Sequence, residues 1–377
     1  MSHAQPRQEV RYAELDALRG LAAMVVVIGH FQHLFFVKVS PLSYLLFRTP
    51  INILFAGHEA VILFFLLSGY VLSLPFLRAP QSYPVFVVRR VFRIYLPYLA
   101  ALGLAIVGAS FFHGTIPALG QWFNLTWSQA PSVHGIVQHI AFLGVYDAAQ
   151  FNTAFWSLIY EGRISLVFPL VFWLARKFGL LSLVVSLGFT VLANSLARDA
   201  NLADLGVTAH FTGIFILGSL LAGNMLKIRA AYGRTAQWAK NCLSLLVVLV
   251  LTYGGMIRTS GFWHDWEVAF CATWLIVMAL CSESFRIFLL GRGPQFLGRI
   301  SYSLYLVHGT VLFALVHLLY GKVRLIAILP LYLPLAVATA VLLHKFVEAP
   351  SMEAGRRVGY WLGPRLLSAR ARVAPAD

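Results

Sequence analysis

Two side chains near the start of the chain are of a kind that lipid rejects. Arg19 and His30 stand eleven residues apart inside "LDALRGLAAMVVVIGHF". On a helix that spacing is ~1100°, about 20° past three full turns, so both share one face with a rise of about 16 Å between them. An imidazole buried on the same stripe as a guanidinium predicts a passage leading from Arg19 toward His30. The alternative is a packing histidine with a satisfied hydrogen bond and an arginine that snorkels to the interface. Glu161 in "FWSLIYEGRISLVFPL" is the carboxylate set deepest in an apolar run, and Arg163 follows it by two. Side chains at i,i+2 do not face each other on a helix, so each requires its own partner. A carboxylate can orient and polarise an imidazole acting as general base. His308 follows the hydroxyls of Ser301, Tyr302, Ser303 and Tyr305 in "RISYSLYLVHGTVL"; interhelical hydrogen bonding explains such a run equally well. In "RRVFRIYLPY", Arg89 and Arg93 are stacked at i,i+4, with Arg90 between them. Guanidinium forks suit phosphate, although membrane topology and anionic lipid account for basic clusters too.

The elements that hold these groups follow from composition. Of 377 residues, 59% are hydrophobic and only 11% charged, against about 25% charged in soluble domains. The mean hydropathy of +0.77 agrees. Successive apolar runs predict an all-α polytopic membrane protein with about ten transmembrane helices in one bundle. The spans are 15–37, 58–77, 94–112, 157–175, 179–196, 209–226, 241–257, 266–281, 301–320 and 325–347. The expected organisation is an N-terminal tail (1–14), a membrane domain (15–350) and a C-terminal tail (351–377). The first apolar run is too long for a signal-peptide core and lacks a small-residue cleavage site.

The net charge of +15 raises nucleic acid as a partner, but the basic residues lie between apolar spans rather than on one solvated face. With ten spans and a cytoplasmic N-terminus, all but a handful of the 29 Lys and Arg fall on the cytoplasmic side or in a span, as the positive-inside rule requires. Both termini are then cytoplasmic. Residues 113–156 form a long outside loop without Lys or Arg, bearing Trp122, Trp127 and Trp156. Its "IVQHIAFLGV" segment reads as a short re-entrant or interfacial helix. Cys242, Cys271 and Cys281 make neither a disulfide framework nor a Cys-x-x-Cys site. His30 and His33 at i,i+3 have no carboxylate beside them, so no metal site is expected.

Taken in order, these residues make a pattern. The chain resembles the acyltransferase-3 family, bacterial membrane O-acyltransferases that modify surface glycans and some small products. The resemblance is carried by "LDALRG" with Arg19-x10-His30, by "FFLLSG" at 64–69, and by Arg90-x-x-Arg93 followed by "IYLP". Further on come Trp156, Ser157 and Leu158 with Glu161, "SYSLYLVH" ending at His308, and "VEAP" at 347–350. After Glu161 the chain departs from the family pattern, with "GRIS" in place of polar and aromatic residues. The chain ends soon after its last span, as in members made of the membrane module alone.

The resemblance implies an acyl-CoA donor, acetyl-CoA by default, on the cytoplasmic side. The implied acceptor is a hydroxyl on a glycan or small molecule. It implies His30 and Glu161 as catalytic residues, and Arg19, Arg90, Arg93 and His308 on the donor. Trp156, Ser157, Arg163 and Tyr305 would then meet the acceptor. His30 would serve as general base or carry the acyl group itself. A different class, a secondary transporter for an anionic solute or lipid-linked precursor, also fits many helices with buried charges. It favours inverted repeats, and none is visible.

Overall fold

The computed structural model describes residues 12–35, 49–199, 202–254 and 262–373, with side chains to 362. The far end of the first expected span, most of the N-terminal tail and the last four residues lie outside these, as do Arg7, Arg11, Lys38, Arg48 and Arg258 of the charge pattern. Among the described residues the fold is all helix, and the one β contact is an isolated bridge between Tyr320 and Val323. The principal helices are α1 (Ala13–His33), α2 (Gly57–Arg78), α3 (Tyr83–Phe111), α4 (Val133–Ala141), α5 (Phe155–Phe178) and α6 (Leu181–Leu196). They continue with α7 (Ala203–Arg234), α8 (Gln237–Tyr253), α9 (Trp263–Cys281), α10 (Arg292–Leu319) and α11 (Leu325–Leu362), whose backbone stays helical to Val373.

Apart from the short α4, each helix occupies the place of an expected span. Seven of them, α2, α3, α5, α7, α9, α10 and α11, are long and apolar enough to cross a membrane. Helices α6 and α8, with 16 and 17 residues, fall short of the roughly 20 residues that a hydrocarbon core asks for. Helix α1 is long enough, but Asp16, Arg19, His30, Gln32 and His33 dilute its apolar character. It is not among the seven, and it packs against α10, α2 and α11. Large apolar side chains such as Val107, Phe111, Leu170 and Phe346 face outward from the other helices, as a lipid-exposed surface requires.

Close backbone crossings set the register of the core. A Cβ on Gly20 would lie 2.3 Å from the Gly298 nitrogen, and one on Gly298 would lie 2.6 Å from the Asp16 carbonyl oxygen. Helices α1 and α10 therefore touch backbone to backbone, as small residues permit in membranes. Gly69 and Gly218 make the same kind of crossing between α2 and α7. Tyr332 of α11 stacks on Phe31 at 5.8 Å and donates to the Val27 carbonyl at 3.3 Å. This clamps the far half of α1, where His30 sits. The end of the bundle near Arg19 is called below the arginine end, and the end near His30 the loop end.

The segment between α3 and α5 covers the loop end. Helix α4 exposes Val133, Val137 and Ile140 along one stripe, the pattern of an interfacial helix. It buries His139, and that burial pushes the imidazole below its ordinary pKa. Trp127 anchors the segment. Its indole packs onto Gly108, where a Cβ would come within 2.4 Å, and its Nε1 donates to the Phe151 carbonyl at 2.9 Å.

Candidate active site

His30 and His308 meet because α1 and α10 cross at Gly20 and Gly298, ten residues before each imidazole. His308 is fully buried. Its Nδ1 lies 3.1 Å from the Leu304 carbonyl, which can only accept, so Nδ1 carries the proton and Nε2 the lone pair. Nε2 lies 3.1 Å from His30 Nδ1. His30 must then donate from Nδ1, which leaves His30 Nε2 as a free lone pair. His308 thus occupies the place that a carboxylate fills in a hydrolase triad, fixing the tautomer of the working imidazole. Thr153 Oγ1 also approaches His30 Nδ1, at 3.4 Å.

The walls around this pair come from the loop end. Trp122 meets the His30 ring edge-on at 5.2 Å and stacks on His33 at 4.9 Å. Asn152, fully buried, donates to the Leu306 carbonyl at 3.0 Å and accepts from the Ala154 amide at 3.0 Å. That contact needs Gly309, since a Cβ there would lie 2.3 Å from Asn152 Oδ1. Trp122 is visible in the sequence only as one tryptophan of the long loop, and Asn152 and Thr153 carry no mark, because a loop has neither period nor spacing.

A cavity of about 880 Å³ opens from the arginine end. Arg19, Arg90, Arg93, Arg299 and Arg356 line it, and Ser68, Glu161, Ser157 and Tyr305 lie farther along. Arg90 Nε is buried with no hydrogen-bond partner among the described residues, a donor left over for an occupant. Glu161 is part of this wall and accepts from Ser68 Oγ at 3.0 Å. The carboxylate expected near His30 therefore faces the cavity instead.

The continuous passage expected along the Arg19–His30 face is interrupted. His30 does not line the cavity. Ser157 Oγ and Tyr305 OH join at 2.6 Å, and Phe64 packs edge-on against the Tyr305 ring at 5.6 Å. Tyr305 is one helical turn from His308, with ring centroids 5.8 Å apart. A partition one side chain thick thus separates the cationic cavity from the histidine pair. Helical period identifies a shared face, but not what a third helix inserts between two points on it.

Two expected acceptor residues lie elsewhere. Trp156 packs on Tyr160 and Phe211. Arg163 is a brace: its guanidinium pairs with Asp204, donates to Thr208 at 3.0 Å, and holds the Leu143 and Gly144 carbonyls of the loop.

Residues 12–345 match the family described as "Acyltransferase domain", of the acyltransferase-3 type. The chain belongs to the acyltransferase-3 family. The match covers every motif from Arg19 through His308, and seven of the described helices are long and apolar enough to cross a membrane. It is similar to "Acyltransferase MdmB" of Streptomyces mycarofaciens, at 32% identity over 182 residues. That similarity covers 46% of this chain and 42% of the relative, less than half of either. No solved structure matches the chain.

Proposed function

We propose that this acyltransferase moves an acyl group, acetyl by default, from acyl-CoA to a hydroxyl of a glycan or hydroxyl-bearing small molecule, with His30 as the catalytic residue. In this reading the chain crosses the bacterial inner membrane about ten times as one membrane domain, and the arginine end faces the cytoplasm. The excess of Lys and Arg on that side supports this orientation. Family membership displaces the transporter alternative.

The observation that carries the reading is the His30–His308 pair, with a free Nε2 set one partition away from a cationic cavity. Coenzyme A bears several phosphate charges. Arg19, Arg90 and Arg93 are the groups that would hold them, with the thioester extended toward Ser157 and Tyr305. The acceptor would approach from the loop end, over Trp122. Nε2 of His30 then removes the acceptor proton as its oxygen attacks the thioester carbonyl; the C–S bond breaks and the thiolate leaves. The partition favours a two-step variant in which Nε2 takes the acyl group first and releases it to the acceptor after water and thiol are excluded. Glu161 stands on the donor side, placed to exchange a proton with the departing thiol.

The test is transfer of label from acetyl-CoA into an ester, with membranes from cells with and without the protein. Ester formed only with the protein supports the reading, and its absence with every hydroxyl acceptor supplied defeats it.

A further inference from the structure

One carboxylate in the cationic cavity is not accounted for by the chemistry above. Glu348 is 2% exposed, and burying a carboxylate is costly unless it is paired and fully hydrogen-bonded. Three donors from three elements satisfy it. Arg93 Nη1 donates to Oε1 at 3.3 Å, while Ser303 Oγ and His344 Nδ1 donate to Oε2 at 2.7 and 3.0 Å. Glu348 and His344 close a π-helical turn, His344–Glu348, within α11. Arg93 sits in a second π-helical turn, Val91–Tyr95, within α3. Such turns are rare and gather at functional sites; here the Arg93–Glu348 pair joins the two.

The three donors differ in what they have left. Ser303 is fully buried, and its hydroxyl proton is committed to Glu348. The Arg93 and His344 side chains are 34% and 28% exposed and both line the cavity. Donation from His344 Nδ1 leaves Nε2 as an acceptor with no protein partner among the described residues. Arg93 keeps guanidinium N–H groups beyond the one given to Glu348.

We propose that Glu348 is a positioning residue for ligand recognition: it aims the Arg93 guanidinium at a phosphoryl group and fixes His344 in the tautomer whose Nε2 accepts from an N–H or O–H of the same ligand. The ligand class is an organic phosphate that also carries amide or hydroxyl donors. The inference rests on the reading that the cavity holds the acyl-CoA donor, whose nucleotide and amide-bearing arm supply both features.

The experiment is steady-state kinetics of the full-length enzyme with acetyl-CoA, comparing wild type with Glu348→Gln, Glu348→Asp and His344→Ala. Glu348→Gln is expected to raise the KM for acetyl-CoA by about ten-fold or more, the scale of a charge-assisted hydrogen bond, with kcat within about two-fold. Glu348→Asp should recover part of the loss. His344→Ala should raise KM by about five-fold, the scale of a neutral hydrogen bond, and gives an independent reading if Glu348→Gln fails to accumulate in the membrane. Acetyl-pantetheine, which lacks the nucleotide, should lose less than acetyl-CoA in the Glu348→Gln enzyme. A structural brace would act differently, lowering Tm and kcat while KM stayed fixed, and that result overturns the inference. Saturable wild-type turnover with unchanged KM in the variants also overturns it and leaves the donor reading intact. Absence of saturable wild-type turnover of acetyl-CoA defeats the donor reading, and this inference with it.

Discussion

The His308 Nε2 lone pair receives the His30 Nδ1 proton across 3.1 Å, so one buried histidine decides which nitrogen of another is free to react. The decision starts at the Leu304 carbonyl, which accepts only and so holds the His308 proton on Nδ1. His30 needs no carboxylate under this arrangement. In the proposed mechanism it serves as a base or nucleophile poised by geometry rather than by charge.

His30→Ala is expected to lower transfer by at least the ~10²–10⁴-fold that a positioned acid–base group supplies, with the protein still inserted and folded. Ester formation per unit of membrane-bound protein measures it, and retention of full activity removes His30 from the mechanism.

His308→Ala leaves His30 in place but unoriented. The expected result is a kcat reduced by about 10²-fold or more with little change in donor KM, since His308 does not line the cavity. A KM effect alone would place His308 on the donor instead.

Tyr305→Phe removes the hydroxyl that bridges to Ser157 and thins the partition between cavity and histidine pair. Hydrolysis of acetyl-CoA without acceptor should increase relative to transfer. Free thiol release and ester formation, followed in the same assay, give the ratio. An unchanged ratio means that the partition does not control passage.

Arg90→Ala removes a buried cationic donor that has no hydrogen-bond partner at Nε among the described residues. Donor KM is expected to rise by about 10–100-fold, equivalent to the ~1.5–3 kcal/mol of a charged hydrogen bond, and to respond less to added salt. Titration of initial rates against acetyl-CoA at two ionic strengths checks both.

Much of this architecture could be read before any coordinates. The apolar runs placed the helices because lipid allows few alternatives to a long buried helix. The Arg19-x10-His30 spacing put two polar groups on one face because helical geometry is rigid. What spacing could not supply was the third body. The Ser157–Tyr305 bridge joins residues of α5 and α10, and their meeting depends on how those helices pack against α1. Depth in an apolar run marks Glu161 as a group that orients His30 or receives a proton, but depth leaves azimuth open, and its hydrogen-bond partner is Ser68 of α2. Arg163 illustrates the same limit. A charge inside a span signals a polar partner, and here that partner is a brace to Asp204 and to loop carbonyls. Asn152 and Thr153 lie in irregular chain, where no period exists to mark them. Glu348 is marked by "VEAP" and His344 by nothing, and the π-helical turn that brings them to Arg93 has no reading in the sequence.

The crossing at Gly20 and Gly298 pairs imidazoles that lie 278 residues apart in the chain. A ribosome must therefore have made α10 before His30 Nδ1 meets its partner nitrogen. Until α10 is made, α1 lacks the helix that it crosses backbone to backbone at Gly20. Under the proposed function, an emerging chain stays inert toward thioesters until α10 docks on α1 and orients His30.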